Sequence, residues 1–261
     1  MKKTINLLML LLILNSSNLE TSEYKFNNSV NKSVQEIAHK PKKGIDVLIE
    51  TNYTSDNFPQ RITTIKINPE FYQLNVMTEN EMNKKYINIT DVLNNTDAIA
   101  TINGGFYESD FSPSGLVIKD YIKLSPTNST AGSGVLTIDS ENKISIDPIK
   151  NLQIDKHIKS ALQCGPLLVY NNENLLKGKK LKDSSYYNVD RTVIAIDSEN
   201  NIYLTMIEKI NLADLATLMQ TKYAFALNLD GGPSCNIGVK GEEYFPAKET
   251  KNINYIIALE K

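Results

Sequence analysis

The feature that most restricts the fold of this chain is a succession of short β-rich runs, separated by turn residues, that begins at Gly44. The segment 61–67 partly alternates isoleucine with polar residues, as half-buried strands do. The runs predict strands at 45–53, 61–67, 71–77, 98–102, 116–118, 134–138, 167–170, 192–197, 202–207, 225–229 and 255–259. Sheets therefore form most of the predicted core.

One segment has the spacing of a helix. Between Leu212 and Gln220, apolar residues recur at positions i, i+3, i+4 and i+7, and Asn211 with Asp214 resembles a capping box. A second, shorter helix is predicted at 91–96. No fixed-period repeat and no break in composition divides residues 44–261. We therefore predict one α+β domain over this range, built on large mixed or antiparallel β-sheets with a few helices.

The N-terminus has the pattern of an export signal. Lys2 and Lys3 precede a short apolar run, 5–14, and small polar residues follow it. Residues 1–18 are predicted to be a signal peptide, although the poor cleavage site leaves an uncleaved anchor open. Residues 19–43 are predicted to be a linker or arm. The protein is expected to be exported, periplasmic or secreted, and to meet a membrane only through an uncleaved N-terminal segment.

The composition limits the chemistry that the domain could perform. Two cysteines are too few for a four-thiolate zinc site, and two histidines offer little imidazole for metal binding or base catalysis. A formal net charge of −2 argues against a nucleic-acid partner. We expect no metal or other cofactor, and a chemistry that relies on carboxylates, amides, hydroxyls and arginine.

Two apolar strands end in glycine turns that carry polar side chains. The first runs through Asn103-Gly104-Gly105, and the second through Asp230-Gly231-Gly232. Asn-Gly and Asp-Gly are common hairpin turns, so either motif alone is more often a turn than a site. Glycine also allows positive φ and lets a ligand approach the backbone, and successive N–H groups can form an anion-binding nest. Two such strand ends could face one pocket.

The two turns belong to a set of five motifs in a fixed order along the chain. They are Asn103-Gly104-Gly105-Phe106-Tyr107, Ser112-Pro113-Ser114-Gly115-Leu116, Leu162-Gln163-Cys164-Gly165-Pro166, Arg191-Thr192-Val193-Ile194 and Leu227-Asn228-Leu229-Asp230-Gly231-Gly232-Pro233-Ser234. Together they resemble the phosphodiester glycosidase family from about residue 98 to 239. Three features depart from that family, and one is the linking segment from Glu208 to Leu212, which is shorter than in the long members. Pro233 stands where a third glycine is usual, and the last strand carries asparagines where the family commonly has an arginine.

The resemblance implies cleavage of a sugar-1-phosphodiester of the N-acetylglucosamine type, with such a carbohydrate as the partner. It makes Asp230 the candidate nucleophile or base and Arg191 the candidate phosphate ligand. Asp230 could instead cap its own turn, and Arg191 could instead pair with Asp190 or Asp197.

Further roles implied by the resemblance concern binding and a second acid. Asn103 would bind sugar or phosphate, unless it forms an Asx-turn. Glu208 is the candidate second carboxylate, with Glu108 and Asp110 as alternatives. The remaining candidates would contact substrate through amides, a hydroxyl or an aromatic ring: Gly104, Gly105, Gly165, Gly231, Gly232, Ser234 and Tyr107. Tyr107 and Phe106 could also belong to the core.

The two cysteines lie in separate motifs of the resemblance, which could bring them together. The resemblance therefore leaves a Cys164–Cys235 disulfide possible in an exported protein. A Cys235–His157 hydrolase is a weaker alternative, because His157 lies in a polar stretch. Two other functions stay open: a non-catalytic glycan- or phosphoglycan-binding envelope protein, and a purely structural protein of the same fold.

Overall fold

A computed structural model of the chain describes residues 35–53, 59–182, 187–242 and 250–261, and three antiparallel sheets account for most of them. The largest sheet has eight strands. Numbered in chain order and given in spatial order, they are β1 (Gln35–Lys42), β2 (Ile45–Tyr53), β3 (Pro59–Ile67), β14 (Ile202–Ile210), β13 (Val189–Ile196), β15 (Phe225–Asn228), β11 (Leu167–Tyr170) and β12 (Glu173–Asn174).

The two smaller sheets complete the architecture. The five-stranded sheet consists of β7 (Ile122–Ser125), β6 (Val117–Lys119), β10 (Ile158–Cys164), β8 (Gly134–Asp139) and β9 (Ile144–Pro148). The four-stranded sheet consists of β16 (Ile237–Val239), β5 (Ala100–Asn103), β17 (Asn254–Glu260) and β4 (Tyr72–Thr78). Side chains from all three sheets meet in one apolar core, to which Ile65, Leu136 and Ile102 each contribute from a different sheet.

Two α-helices occur in the described residues, and each covers an apolar sheet face. Helix α1 (Ile89–Asn95) packs with β5 and β16, and helix α2 (Leu212–Gln220) packs with β11 and β15. Asn211 caps α2, because its Oδ1 accepts the Asp214 N–H at 3.0 Å.

The predicted elements correspond closely to the observed ones where hydrophobicity is continuous. The helix predicted at 212–220 and the strands predicted at 45–53 and 167–170 have the observed bounds. The sheets are antiparallel, and with two short helices the described part of the fold is mostly β. Six strands were missed, among them β10, whose Lys159, Ser160 and Gln163 interrupt its apolar pattern.

The predicted arm at 19–43 needs a correction at its end, since residues 35–42 form β1 and pair with β2. The turn between them supplies Gly44, whose φ of +79° favours glycine. The predicted signal peptide at 1–18 lies outside the described residues. Within the described ranges, no helix is long and apolar enough to span a membrane.

Candidate active site

The two glycine turns lie in contact, although their strands belong to different sheets. Strand β5 of the four-stranded sheet ends at Asn103, and β15 of the eight-stranded sheet leads into Asp230. The Asp230 N–H donates to the Gly104 carbonyl at 3.0 Å, and Asn103 Nδ2 donates to the Asp230 carbonyl at 2.9 Å. The tertiary structure thus joins the first and last motifs of the sequence.

Asn103 holds this junction together. Its side chain is fully buried, and its Oδ1 accepts the Asn236 N–H at 3.1 Å while its Nδ2 donates to Asp230. Both of these contacts are to backbone atoms of other segments, so Asn103 does not form an Asx-turn. Because the side chain is buried, it also presents no surface that a sugar could contact. The structure gives it a positioning role in place of the expected substrate contact.

Gly104 and Gly105 are required by close packing. The Gly104 N–H donates to the Asn254 carbonyl at 3.0 Å, and the Gly105 N–H donates to Asn254 Oδ1 at 2.7 Å. A Cβ on Gly104 would overlap Asn254 Oδ1, and neither glycine has positive φ. Both amides are therefore occupied by Asn254, which corrects the expectation that they form an anion nest.

Asp230 presents a partly buried carboxyl beside this junction. Its Oδ1 accepts the Gly231 N–H at 2.9 Å, and the Ser234 hydroxyl donates to the carboxyl. Burial raises the pKa of the Asp230 carboxyl above its ordinary value, and these two hydrogen bonds oppose part of the rise. Thr192 Oγ1 donates to the Asp230 carbonyl at 2.9 Å and so fixes the backbone under the carboxyl.

Arg191 lies next to the same turn. Its Nη1 would be 3.6 Å from a Cβ placed on Gly231. Among the described residues, its Nε and Nη2 make long hydrogen bonds alone, to the Ile210 carbonyl at 3.4 Å and the Tyr187 carbonyl at 3.5 Å. Burial lowers the pKa of the guanidinium, which nevertheless keeps its charge at neutral pH.

No carboxylate within the described ranges pairs with Arg191. The two alternatives considered from the sequence have other partners: Asp190 Oδ1 accepts the Lys209 N–H at 3.1 Å, and the Asp197 carboxylate accepts from Asn201 and Tyr203. A half-buried guanidinium without a counterion is suited to bind an anion such as phosphate.

The rest of the Asp230 turn is partly closed. The Gly231 N–H donates to the Asp230 carboxyl, and the buried Ser234 donates its hydroxyl to the same carboxyl. Gly232 has a φ of +61°, and its Cβ position opens onto free space, so it is the most accessible of the predicted glycine contacts. Pro233 is exposed beside it.

Glu208, the expected second carboxylate, follows Ile207, which is the Cα partner of Arg191 across β13 and β14. Glu208 is half-buried on β14, and within the described part of the chain no ion pair or hydrogen bond joins it to Arg191 or Asp230. Glu108 is exposed, and the Asp110 carboxylate accepts from Ser112.

Asp190, on β13, is an acidic residue whose backbone lies against the Asp230 turn. A Cβ on Gly231 would lie 3.2 Å from the Asp190 carbonyl. The Asp190 and Asp230 carboxylates both help to raise the pKa of the Cys235 thiol, although burial is the larger cause. From the sequence, Asp190 was considered only as an ion-pair partner.

Cys164 and Cys235 are both free and buried, so the structure does not contain the disulfide that the sequence left possible. Each sulfur has its own environment. Cys164 receives backbone N–H groups of Gly165 and Phe106, whereas Cys235 Sγ lies 3.8 Å from the Asp230 carbonyl. Burial raises the pKa of both thiols, which makes a Cys235 thiolate nucleophile unfavourable. His157 is exposed, and its backbone N–H donates to Asp155 Oδ1.

Gly165 and Tyr107 also have structural contacts. A Cβ on buried Gly165 would lie 2.7 Å from the Ser133 nitrogen, and its carbonyl accepts from Asn228 Nδ2 at 2.9 Å. The Tyr107 hydroxyl donates to the Lys251 carbonyl at 2.6 Å. Its ring stacks on Phe111 with centroids 5.5 Å apart, leaving a half-buried aromatic surface near the first turn.

A group of buried asparagines supports both turns and was missed from the sequence. Asn236 and Asn252 donate to the Ser234 carbonyl at 3.2 and 3.1 Å. Asn254 binds the N–H groups of Gly104 and Gly105, and its own Nδ2 is buried without a hydrogen-bond partner among the residues that the structure describes. The sequence signal for this group is the pair Asn252 and Asn254, which lies at the beginning of the apolar last strand, β17. No group of three or more potential metal ligands occurs in the described ranges.

Comparison with known proteins gives a family and a fold. A family model described as phosphodiester glycosidase matches residues 96–259. The chain is similar to a hypothetical protein from Synechocystis at 14% identity, with a TM-score of 0.69, over 94% of this chain and 68% of that one. It is also similar to the zebrafish N-acetylglucosamine-1-phosphodiester alpha-N-acetylglucosaminidase catalytic domain, auto-inhibited by its pro-peptide, at 12% identity, with a TM-score of 0.65, over 94% and 89%. No curated protein matches the chain significantly.

Proposed function

This chain belongs to the phosphodiester glycosidase family, and from that premise we propose that it hydrolyses the glycosidic bond of a sugar-1-phosphodiester of the N-acetylglucosamine type. The observation that carries the proposal is the half-buried Arg191 guanidinium, which lies against Gly231 in the turn that follows Asp230 and has no carboxylate partner in the described ranges. A cation for the phosphate and a carboxyl for the anomeric carbon are two of the groups that this reaction uses.

In the proposed reaction, the bond between the anomeric carbon and the phosphate oxygen breaks, and the phosphate leaves with the bonding electrons. Water adds to the anomeric carbon and loses its proton, either directly to a carboxylate base or after a glycosyl–carboxylate intermediate. Arg191 would neutralise charge on the departing phosphate. Phosphate is a good leaving group, so acid assistance matters less than for an alcohol.

Asp230 is the proposed nucleophile or base. A raised pKa brings the carboxyl closer to working pH and makes its carboxylate a stronger base. Glu208, next to the β14 partner of Arg191, stays a candidate for the second carboxylate, and Asp190 joins it because its carboxylate acts on the Cys235 thiol beside the Asp230 turn. Asn103, Thr192 and Asn254 would act as positioning residues for the two turns.

The proposed setting is outside the cytoplasm, on envelope or extracellular glycans, because the N-terminal segment has the pattern of an export signal. The alternative is a non-catalytic phosphoglycan-binding protein of the same fold. Two observations favour it: Pro233 removes one N–H donor from the turn, and Asn254 occupies the amides of Gly104 and Gly105.

Hydrolysis assays on UDP-N-acetylglucosamine and on a methyl phosphodiester of N-acetylglucosamine-1-phosphate test the proposal, with the released sugar measured by chromatography. We expect Asp230→Asn to lower kcat by about 100-fold or more, and Arg191→Ala to lower kcat/KM by about 100-fold. Glu141→Gln, on an exposed turn, is the matched control and should leave both unchanged.

Failure to release sugar from any phosphodiester of the panel, or full activity of Asp230→Asn, would contradict the enzymatic function. Calorimetry on the same compounds then distinguishes the alternative. Binding without turnover, weakened by Arg191→Ala, indicates a phosphoglycan-binding protein.

A further inference from the structure

A second candidate site lies at the turn between β1 and β2. There the chain forms a cleft of about 500 Å³ that extends to the adjoining ends of β3 and β14. Among the described residues that line it, Asp46 is the single acidic one, and four are lysines: Lys40, Lys42, Lys43 and Lys66. Clefts of this volume hold small organic ligands.

The cleft is separate from the Asp230 turn. Along β3, Ile62 pairs with Ile207, the partner of Arg191, whereas Ile67 pairs with Ile202 at the cleft end. Five residues of strand separate these positions, which corresponds to about 17 Å. A ligand in the cleft would therefore not occupy the site of the proposed hydrolysis.

Two of the four lysines already have acidic partners. Lys42 Nζ lies 2.9 Å from Glu260 Oε1, and Lys40 Nζ lies 3.9 Å from Asp46 Oδ1. These pairs are solvent-exposed and hence weak.

The other two lysines lie over aromatic rings. Lys43 Nζ is 4.3 Å from the centroid of Phe71, and Lys66 Nζ is 5.8 Å from that of Tyr203. Although Asp46 is the Cα partner of Lys66 across β2 and β3, no carboxylate of the described residues lies within 4.0 Å of either ammonium group. Both ammonium groups keep hydrogen-bond donors for an anion.

We propose that this cleft binds a phosphate group carried by a larger molecule. Unpaired ammonium groups on one cleft recognise multiply charged anions better than single carboxylates, because phosphate offers more charge and more acceptor oxygens. The volume exceeds what one phosphate needs, and the Phe71 side chain supplies an apolar wall for the remainder of the ligand. A sugar phosphate and an anionic lipid headgroup share this chemistry. The inference does not depend on the proposed hydrolysis.

The full-length protein is titrated with pyrophosphate and with glucose-1-phosphate by calorimetry, with glucose as the uncharged comparison. A second arm measures co-sedimentation with phosphatidylcholine vesicles that contain phosphatidylglycerol. The test variant is Lys43→Gln/Lys66→Gln. The matched control is Lys123→Gln/Lys156→Gln, which removes the same charge from exposed positions outside the cleft.

We expect phosphate-dependent binding that weakens about tenfold or more in Lys43→Gln/Lys66→Gln and less than twofold in the control. The affinity for the phosphate compounds should also fall between 50 and 300 mM salt, as ion pairing requires, because the Debye length becomes about 2.4-fold shorter. The arm that binds identifies the carrier as a soluble phosphate or a lipid. Absence of binding in both arms, or equal weakening by both variants, would overturn the inference. Circular dichroism confirms that both variants are folded.

Discussion

Replacement of Gly104 by alanine gives the most direct test of how the two glycine turns are joined. The added Cβ would overlap Asn254 Oδ1 and lie 3.1 Å from the Asn254 carbonyl oxygen, so the Asn254 side chain must move. Its movement breaks the hydrogen bond from the Gly105 N–H, which is buried. The same asparagine both blocks the alanine and satisfies the neighbouring amide.

The expected loss is the sum of two effects. Overpacking of a well-filled interior costs about 1–3 kcal/mol. A buried N–H left without an acceptor costs another ~1–3 kcal/mol. Gly104→Ala should therefore lower the free energy of unfolding by ~2–6 kcal/mol, a large share of the ~5–15 kcal/mol typical of a domain.

Urea denaturation, followed by circular dichroism because the chain has no Trp, measures this loss. Asn254→Ala and the double variant complete a double-mutant cycle. Without the Asn254 amide the clash is removed, so the double variant should be within about 1 kcal/mol of Asn254→Ala. A loss below about 1 kcal/mol for Gly104→Ala, or strict additivity of the two single losses, would refute this reasoning.

Two further predictions concern the groups around Asp230. Because burial raises the folded-state pKa of Asp230, the charged form of this carboxyl destabilises the fold at pH 7. Asp230→Asn should therefore raise the midpoint urea concentration of unfolding at pH 7. That gain should disappear as the pH falls through the raised pKa towards 3.8, and a gain independent of pH would contradict it. Because both cysteines are free, unreduced protein should yield two reactive thiols in guanidinium and almost none when folded. Fewer than two thiols in denaturant would indicate a bridge.

The sequence identified the central strands and the longer helix because these have continuous hydrophobic patterns with clear boundaries. Strand β11 and helix α2 have their predicted limits for this reason. Strand β1 could not be found in the same way, since its lysines, histidine and proline resemble a linker until β2 pairs with it. The resemblance to the phosphodiester glycosidase family, carried by five ordered motifs, is confirmed by the family match over residues 96–259.

The candidate site shows the limit of local reasoning more clearly. The sequence selected Asp230 and Arg191. Arg191 lies near the start of β13 and against the Asp230 turn, because that turn follows β15, which pairs with β13. The sequence could not show that Asn103 faces inward, or that Asn254, about 150 residues away in the chain, occupies the amides of the first turn.

The sequence by itself determined which strands are apolar, where they end and which chemical groups follow them, since these properties depend on neighbouring residues. The tertiary structure decided which of those groups are free to act. Hydrogen bonds between distant segments occupy the Asn103 amide and the Gly104 and Gly105 N–H groups, while the bonds of Arg191 to the described residues are two long ones to carbonyls. A polar group already bonded inside the protein offers little to a ligand, so this long-range bonding separates the supporting residues from the candidate binding ones.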